Sequence, residues 1–234
     1  MDKGRIYAGL AVMFGLMFSG WMFRGAVNDN REYDRVVSVK GLSEKEVEAD
    51  KVFWPIVFNT MSNDLVSLNS QLDNARAQIL AFLRDGGVKE EEISVSMPEI
   101  SDKFASQYGE NDRTYRFVAK NVITVCSENV EGIRALMARQ DALLKKGLVI
   151  SPNDWENRVE FKFEGLNGIK PQMIVEATRN ARDAAEKFAQ DSDSRLGKIK
   201  TANQGVFSIE DRDRNTPYIK VVRVVTSVTY YLEN

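Results

Sequence analysis

The sequence predicts an α+β domain of antiparallel or mixed sheets with three main helices packed on them, preceded by one N-terminal transmembrane helix. Three observations predict it. From residue 36 on, the periodicities run strand, strand, helix, strand, strand, helix, strand, helix, strand, strand. Paired strands between single helices point to antiparallel sheets with helices on one face. Ahead of them, Ile6–Phe23 is an uncharged, mostly apolar run of 18 residues, close to the length that crosses a bilayer. Finally, 234 residues are enough for one large domain that buries its core without disulfide or metal staples.

The N-terminal run, as a helix, is about 27 Å long. Ile6, Leu10, Phe14, Phe18, Trp21 and Phe23 are its anchoring side chains, with Lys3 and Arg5 before it and Arg24 after it. Tyr7 and Trp21 fall near its ends, where aromatic rings favour the membrane interface. A cleaved signal peptide has a shorter apolar stretch and a small-residue cleavage site. Here Arg24 interrupts the only downstream small pair, Gly25-Ala26, so the reading is an uncleaved signal anchor over residues 1–26, a polar linker over 27–35 and one domain over 36–234. Lysine and arginine counts on the two flanks nearly balance. The short N-terminal tail before a large domain places the N-terminus inside and the domain outside. Ala11, Gly15 and Ser19 recur every four residues and form a small-residue stripe of the kind that lets membrane helices approach closely. Gly, Ala and Ser are also simply common in spanning helices.

In the domain, Val36–Lys40 is a β-branched strand that Gly41 ends. Lys51–Thr60 is a second strand. Pro55 within it lacks an N–H, which places the strand at an edge or on a bulge, and leaves Val52–Asn59 as an edge in need of cover. Asp64–Asp85 is a helix with the apolar stripe Leu65, Leu68, Leu72, Ala75, Ile79 and Phe82. Ser62 or Asp64 caps it and Gly86-Gly87 stops it. Glu92–Ile100 is a strand, Ser101–Asp112 a loop and Arg113–Ser127 a long strand. Val130–Lys146 is the second helix, with Ile133, Leu136, Met137, Leu143 and Leu144 inward and Gly147 as its stop. Arg158–Phe163 alternates as a strand. The third helix starts near Pro171, a residue suited to a first turn, and runs to about Gln190. Its inward face is Ile174, Ala177, Ala181, Ala184 or Ala185, and Phe188. Gln204–Ile209 and Tyr218–Leu232 are the last strands, joined through the turn EDRDRNTP.

Composition excludes whole classes of chemistry. Lys+Arg is 32 and Asp+Glu is 34, a balance unlike that of a nucleic-acid binder. With no histidine and the single cysteine Cys126, there is no His-based triad, no Cys/His zinc site and no internal disulfide. Cys126 sits in an apolar strand and reads as a small buried hydrophobe rather than a reactive thiol. Asp211, Asp213 and Asn215 start like a calcium loop, but the positions that need Gly and a bidentate Glu hold Thr216 and Val222. They read as a charged hairpin turn paired with Arg212 and Arg214. The acidic run Lys89–Glu92 reads as a solvated loop. Trp54, Phe58, Tyr115 and Phe117 share a sheet face as core, or line an apolar ligand pocket. No phosphate-binding glycine loop is present.

Three stretches resemble the SIMPL domain family, which includes periplasmic immunogenic proteins of bacteria. Val37–Gly41 (VSVKG) is similar to the family's opening V-x-V-x-G strand. Tyr115–Val125 (YRFVAKNVITV) is similar to its central Y-x-A-x-N-x-V-x-V strand. The Ala-rich helix Ala177–Phe188, followed by Leu196–Ile199 (LGKI), is the third. Gly165–Val225 closely resembles a branch of the family that keeps an N-terminal anchor. The chain departs from the common opening at Ser43, where a second glycine is usual. The resemblance covers about residues 36–234. It implies an α+β fold, an extracytoplasmic location and ring-like oligomers, with no established reaction or catalytic residue. The expectation is therefore a non-enzymatic, oligomeric assembly module without cofactor or metal, anchored by a single pass in the bacterial inner membrane with its domain in the periplasm. The alternatives are a binding module for an apolar small molecule or lipid, and a carboxylate-dependent hydrolase.

Overall fold

The computed structural model describes residues 9, 12–19, 35–105, 114–151 and 156–233. Residues 12–19 are helical (α1). Then follow β1 (Val36–Glu48), β2 (Lys51–Ser62), α2 (Leu65–Asp85), a 3₁₀ turn (Glu90–Glu92), β3 (Ile93–Val95), β4 (Glu99–Asp102) and β5 (Phe117–Ser127). The chain continues through α3 (Val130–Met137), α4 (Asp141–Lys145), β6 (Glu160–Lys162), α5 (Leu166–Asp191), β7 (Arg195–Gln204), β8 (Ser208–Asp211) and β9 (Ile219–Glu233). It divides into two compact units. One is Met1–Lys45 with Gly168–Ser208 and Val222–Asn234; the other is Glu46–Asn167 with Ile209–Val221. The mixed α+β reading holds, and β2–β5, β2–β6, β3–β5, β4–β5 and β7–β9 all pair antiparallel. The sheets are two, and the three main helices expected are four, because the second is split into α3 and α4.

In the first unit β9 lies between β1 and β7, and α5 covers the sheet with a ridge of Met173, Ala177, Ala181, Ala185 and Ala189, one residue every helical turn. The ridge meets Gly41. A Cβ built on Gly41 falls 1.9 Å from the Ala177 carbonyl oxygen and 2.4 Å from the Ala181 amide nitrogen. Gly41 is thus a packing residue inside β1, not its end, and the strand runs on to Glu48. Ser43, in place of the expected glycine, is buried and donates its hydroxyl to Glu176 at 2.9 Å. Asn180 donates to the Leu42 carbonyl at 2.8 Å. Phe188, expected inward, is 60% exposed, because it lies off the alanine ridge and no aromatic fits so close an approach. Ala185 rather than Ala184 is the fully buried member of that pair.

The start of α5 also differs from expectation. Pro171 lies inside the helix. The Asp50 carboxylate accepts the Glu164 amide at 2.8 Å and the Gly165 amide at 2.7 Å. These bonds fix the turn that leads into Leu166, upstream of the proline. Asp193 closes the other end with φ 51, in the left-handed region that asparagine and aspartate tolerate, while the Ser194 amide returns to the Ala189 carbonyl.

The second unit is built on β2 and β5, paired from Val52↔Ser127 to Ser62↔Phe117. On its far side β2 pairs with β6 over Lys51–Phe53 and bridges Ile150 at Phe58. It is therefore not the open edge that Pro55 suggested; Pro55 falls in the gap between these two pairings. Helix α2 packs Leu68, Leu72, Ala75, Ile79, Phe82 and Leu83 onto Val52, Trp54, Ile56, Phe58, Ala119, Ile123 and Val125. Asp64 caps it by accepting the Ser67 amide at 2.8 Å, and Gly87 at φ +85 takes the chain out of it. Leu65, at the start of the predicted stripe, is exposed.

The expected strand Glu92–Ile100 is two, β3 and β4, broken where Pro98 has no N–H to give the ladder. The buried Asn121 braces that break by donating to the Ser96 carbonyl at 2.9 Å. Strand β5 begins at Phe117 rather than Arg113, since the Arg116 amide is taken by Asn63 at 2.8 Å. The second helix is two, α3 and α4, separated by turns at Ala138–Gln140; nothing in that local sequence explains the break. Leu144, expected inward, is exposed on α4 while Leu143 is buried. The strand expected at Gln204–Ile209 is the end of β7 and the start of β8.

Two outcomes test this account. Gly41→Ala is expected to destabilise the domain by about 3 kcal/mol or more, because the atoms it meets are backbone and the helix must move. The urea midpoint measures it, and adding Ala181→Gly is expected not to rescue, since it leaves both backbone atoms in place. In the β8–β9 turn, the Thr216 hydroxyl, the Asn215 and Thr216 amides and Arg212 hold the Asp213 carboxyl down to about 2. A depressed carboxyl stabilises above its unfolded value, roughly 3.9, and that contribution disappears as pH falls through the folded value. The stability gap between the parent and Asp213→Ala is expected at pH 6 and absent below pH about 2.

Candidate functional site

A pocket of about 460 Å³ opens in the second unit. Its walls come from the end of α2 (Gly86, Gly87), Val88 and Lys89, the 3₁₀ turn, the end of β5 and the start of α3, with Lys51 on β2. These segments converge because β5 ends where β2 begins, as Val52 pairs with Ser127. The chain then turns into α3, whose first turn Asn129 caps by accepting the Gly132 amide at 3.0 Å.

The lining is polar and internally bonded. Ser127, buried, donates its hydroxyl to Glu92 at 2.6 Å and accepts the Asn129 amide at 3.0 Å. The second Glu92 oxygen accepts the Lys89 amide at 2.9 Å. Lys51 donates to Glu164 at 2.9 Å, and that bond raises its ammonium above the usual lysine range. With both Glu92 oxygens and the Lys51 ammonium engaged, these groups brace the pocket wall. Cys126 is half-buried and lines the pocket, on the sheet face opposite the α2 core. It is more exposed than the buried hydrophobe the sequence suggested.

The other sequence candidates separate. Trp54 and Phe58 are packed in the core, Phe117 rests against it and Tyr115 is exposed, so the four line no common pocket. Asp211 is held by Lys220 and Asp213 by its own turn. Among the described residues no group of three or more Asp, Glu or Cys side chains is placed to hold a metal ion. Phe14, Gly15, Phe18 and Ser19 lie in α1. Ile6, Leu10, Ala11, Trp21 and Phe23 lie outside the described residues, and among those described no helix is long and apolar enough to cross a membrane.

Two surfaces went unread in the sequence. Strands β3 and β4 flank β5 on its outer side, with Val95 opposite Ile123 and Ile100 opposite Ala119. Val95 and Ile100 therefore lie on the core side of the sheet, yet they are 42% and 52% exposed, and Met97 between them is 91% exposed. Strand β7 is exposed from Lys198 to Gln204 without alternation. The signal for the first was the apolar spacing around Pro98. For the second it was a run from Arg195 to Ser208 holding Arg195, Lys198 and Lys200 with no Asp or Glu.

No curated protein gives a significant match to the chain. Residues 37–227 match the family described as SIMPL, protein of unknown function (DUF541). That span starts in β1 at Val37, four residues before the glycine packed under α5, and ends inside β9, so it takes in both sheets, and the chain belongs to the SIMPL family.

Proposed function

We propose that this protein is a non-enzymatic assembly module of the bacterial cell envelope. Ile6–Phe23 holds it at the inner membrane by a single pass, the domain lies in the periplasm, and copies associate through the outer edge formed by β3 and β4. The observation that carries this reading is the row Val95, Met97 and Ile100. It continues the core face of a sheet beyond its helical cover and sits on a strand edge. Apolar rows on an open edge mark interaction surfaces. Pro98 and the break between β3 and β4 limit ladder extension there, so the contact joins side chains rather than continuing a sheet.

The anchor has its own support. In α1, Phe14, Leu16 and Phe18 are all more than 60% exposed, and no charged residue occurs from Ile6 to Phe23. Such a helix is stable in lipid and costly in water. The pocket does not support the apolar-ligand alternative as well. Its lining is charged rather than apolar, and the aromatic side chains that would receive an apolar ligand fill the core.

Light scattering on the full chain in mild detergent is expected to give one discrete oligomer that survives dilution. Met97→Asp with Ile100→Asp is expected to release monomers of unchanged circular dichroism. A monomeric parent at every micromolar concentration overturns the assembly reading, and release of the chain from membranes by alkaline carbonate overturns the anchor.

A further inference from the structure

We propose that β7 lies on an anionic lipid surface and forms a second, electrostatic contact between this protein and its membrane. The inference rests on the membrane-anchor reading above and adds to it a surface and a lipid class.

The tether meets the fold beside β7. The chain from α1 joins the first unit at Arg35. The Arg35 carbonyl accepts the Leu232 amide at 2.9 Å, and Leu232 pairs with Leu196 of β7. The Arg35 guanidinium also donates to the Ser194 hydroxyl at 2.8 Å, one residue before β7. The tether therefore enters two strand spacings from β7, about 10 Å. Residues 20–34 can reach no further than about 50 Å when fully extended. A membrane-held α1 keeps β7 within reach of the headgroups.

The strand is also rich in cations. Arg195, Lys198 and Lys200 lie on β7, where Glu233 of β9 is opposite Arg195, and along the chain no carboxylate follows until Glu210. Lys200 stands 5.3 Å from the Tyr231 ring centroid. Ile199, opposite Tyr230, is exposed on the α5 side of the strand, and Val206 is exposed just beyond the strand's end. Cations interleaved with single apolar or aromatic side chains suit a headgroup layer, where the charges pair with phosphates and the apolar groups enter the interface. The charge is local to this part of the protein. Lys and Arg outnumber Asp and Glu by 15 to 11 in the first unit, whereas the second holds 17 against 23.

A second copy of the chain is the competing occupant. A second copy's β7 set against this one opposes cation to cation, which destabilises a strand pair. The register shifts at Leu196/Ile199 and Ile199/Thr201 also spoil the straight edge that strand addition needs. An anionic surface requires neither register nor straightness.

The test places the full chain in vesicles of phosphatidylcholine alone and of phosphatidylcholine with phosphatidylglycerol. Flotation reads anchoring. Acetylation rates by mass spectrometry read the surface, at Lys198 and Lys200 against Lys145 and Lys146 on and beside α4 as reference. Flotation in both vesicles is expected, with Lys198 and Lys200 acetylated roughly fivefold more slowly on the anionic ones, the change that one cation at a charged surface produces. Salt at about 1 M is expected to remove the difference, since screening then acts within about 3 Å. Flotation with equal labelling overturns the β7 contact and leaves the anchor standing. Equal protection on both vesicles assigns the strand to a protein neighbour and likewise overturns it. Failure to float removes the anchor and this inference together.

Discussion

The first unit depends on one close approach, that of α5 to β1 at Gly41. A helix backbone comes near enough to a strand that its carbonyl and amide occupy the space of a missing side chain. Only a residue without Cβ permits this, and only alanine on the facing ridge lets the helix settle. The contact is held on both sides by polar bonds, Ser43 to Glu176 and Asn180 to the Leu42 carbonyl. These fix the helix along the strand as the ridge fixes it above the sheet. Close packing of this kind leaves little room to adjust. This explains why the features that resembled a family in the sequence, a strand ending in glycine and an alanine-rich helix, belong together: they are the two halves of one contact.

The central strand motif has a similar reading. In β5, Ala119, Asn121, Ile123 and Val125 are the residues that face α2, all 1% exposed or less. Three are apolar for the evident reason. Asn121 is polar because it reaches across the sheet to Ser96, where Pro98 interrupts the outer strand and leaves a carbonyl that the ladder does not use. Family membership thus accounts for packing residues and says nothing about chemistry. A fold can be shared while the sites on it differ.

What was legible in the sequence was what one buried face makes periodic. Helix α2 was readable because a stripe of leucines, alanine, isoleucine and phenylalanine meets the sheet every third or fourth residue, and β2 and β5 because each buries alternate side chains. Strand β7 was illegible for the same reason reversed. Both its faces are exposed over most of its length, so no period is imposed on it, and its Lys, Thr, Asn and Gln look like a loop. The start of α5 was illegible because it is set by Asp50, more than a hundred residues earlier in the chain, and the local cue at Pro171 pointed elsewhere. Pro55 was read correctly as a residue that wants no ladder partner, but the inference from residue to whole strand failed, because β6 and Ile150 pair on either side of it. The pocket was beyond reach in principle. Its walls come from separate segments, and none of Lys51, Glu92, Ser127 or Asn129 carries a spacing that marks it.

Two of the sheet edges handle the same hazard by opposite chemistry. An open strand end presents unpaired backbone groups that invite other chains. At β3 and β4 the defence is proline and a break, which block ladder extension but leave Met97 and Ile100 in water, at a cost that only a covering surface removes. At β7 the defence is charge and irregular register, which repel another strand of the same kind and need no cover at all in water. Why cations cluster on this strand, beside Arg35, is a further question. The asymmetry between the two units sharpens the question, because charges placed only for solubility have no reason to segregate by sign between one unit and the other. An apolar edge suits a protein neighbour and a cationic one suits phosphate, so the same fold offers two surfaces that do not compete for one partner.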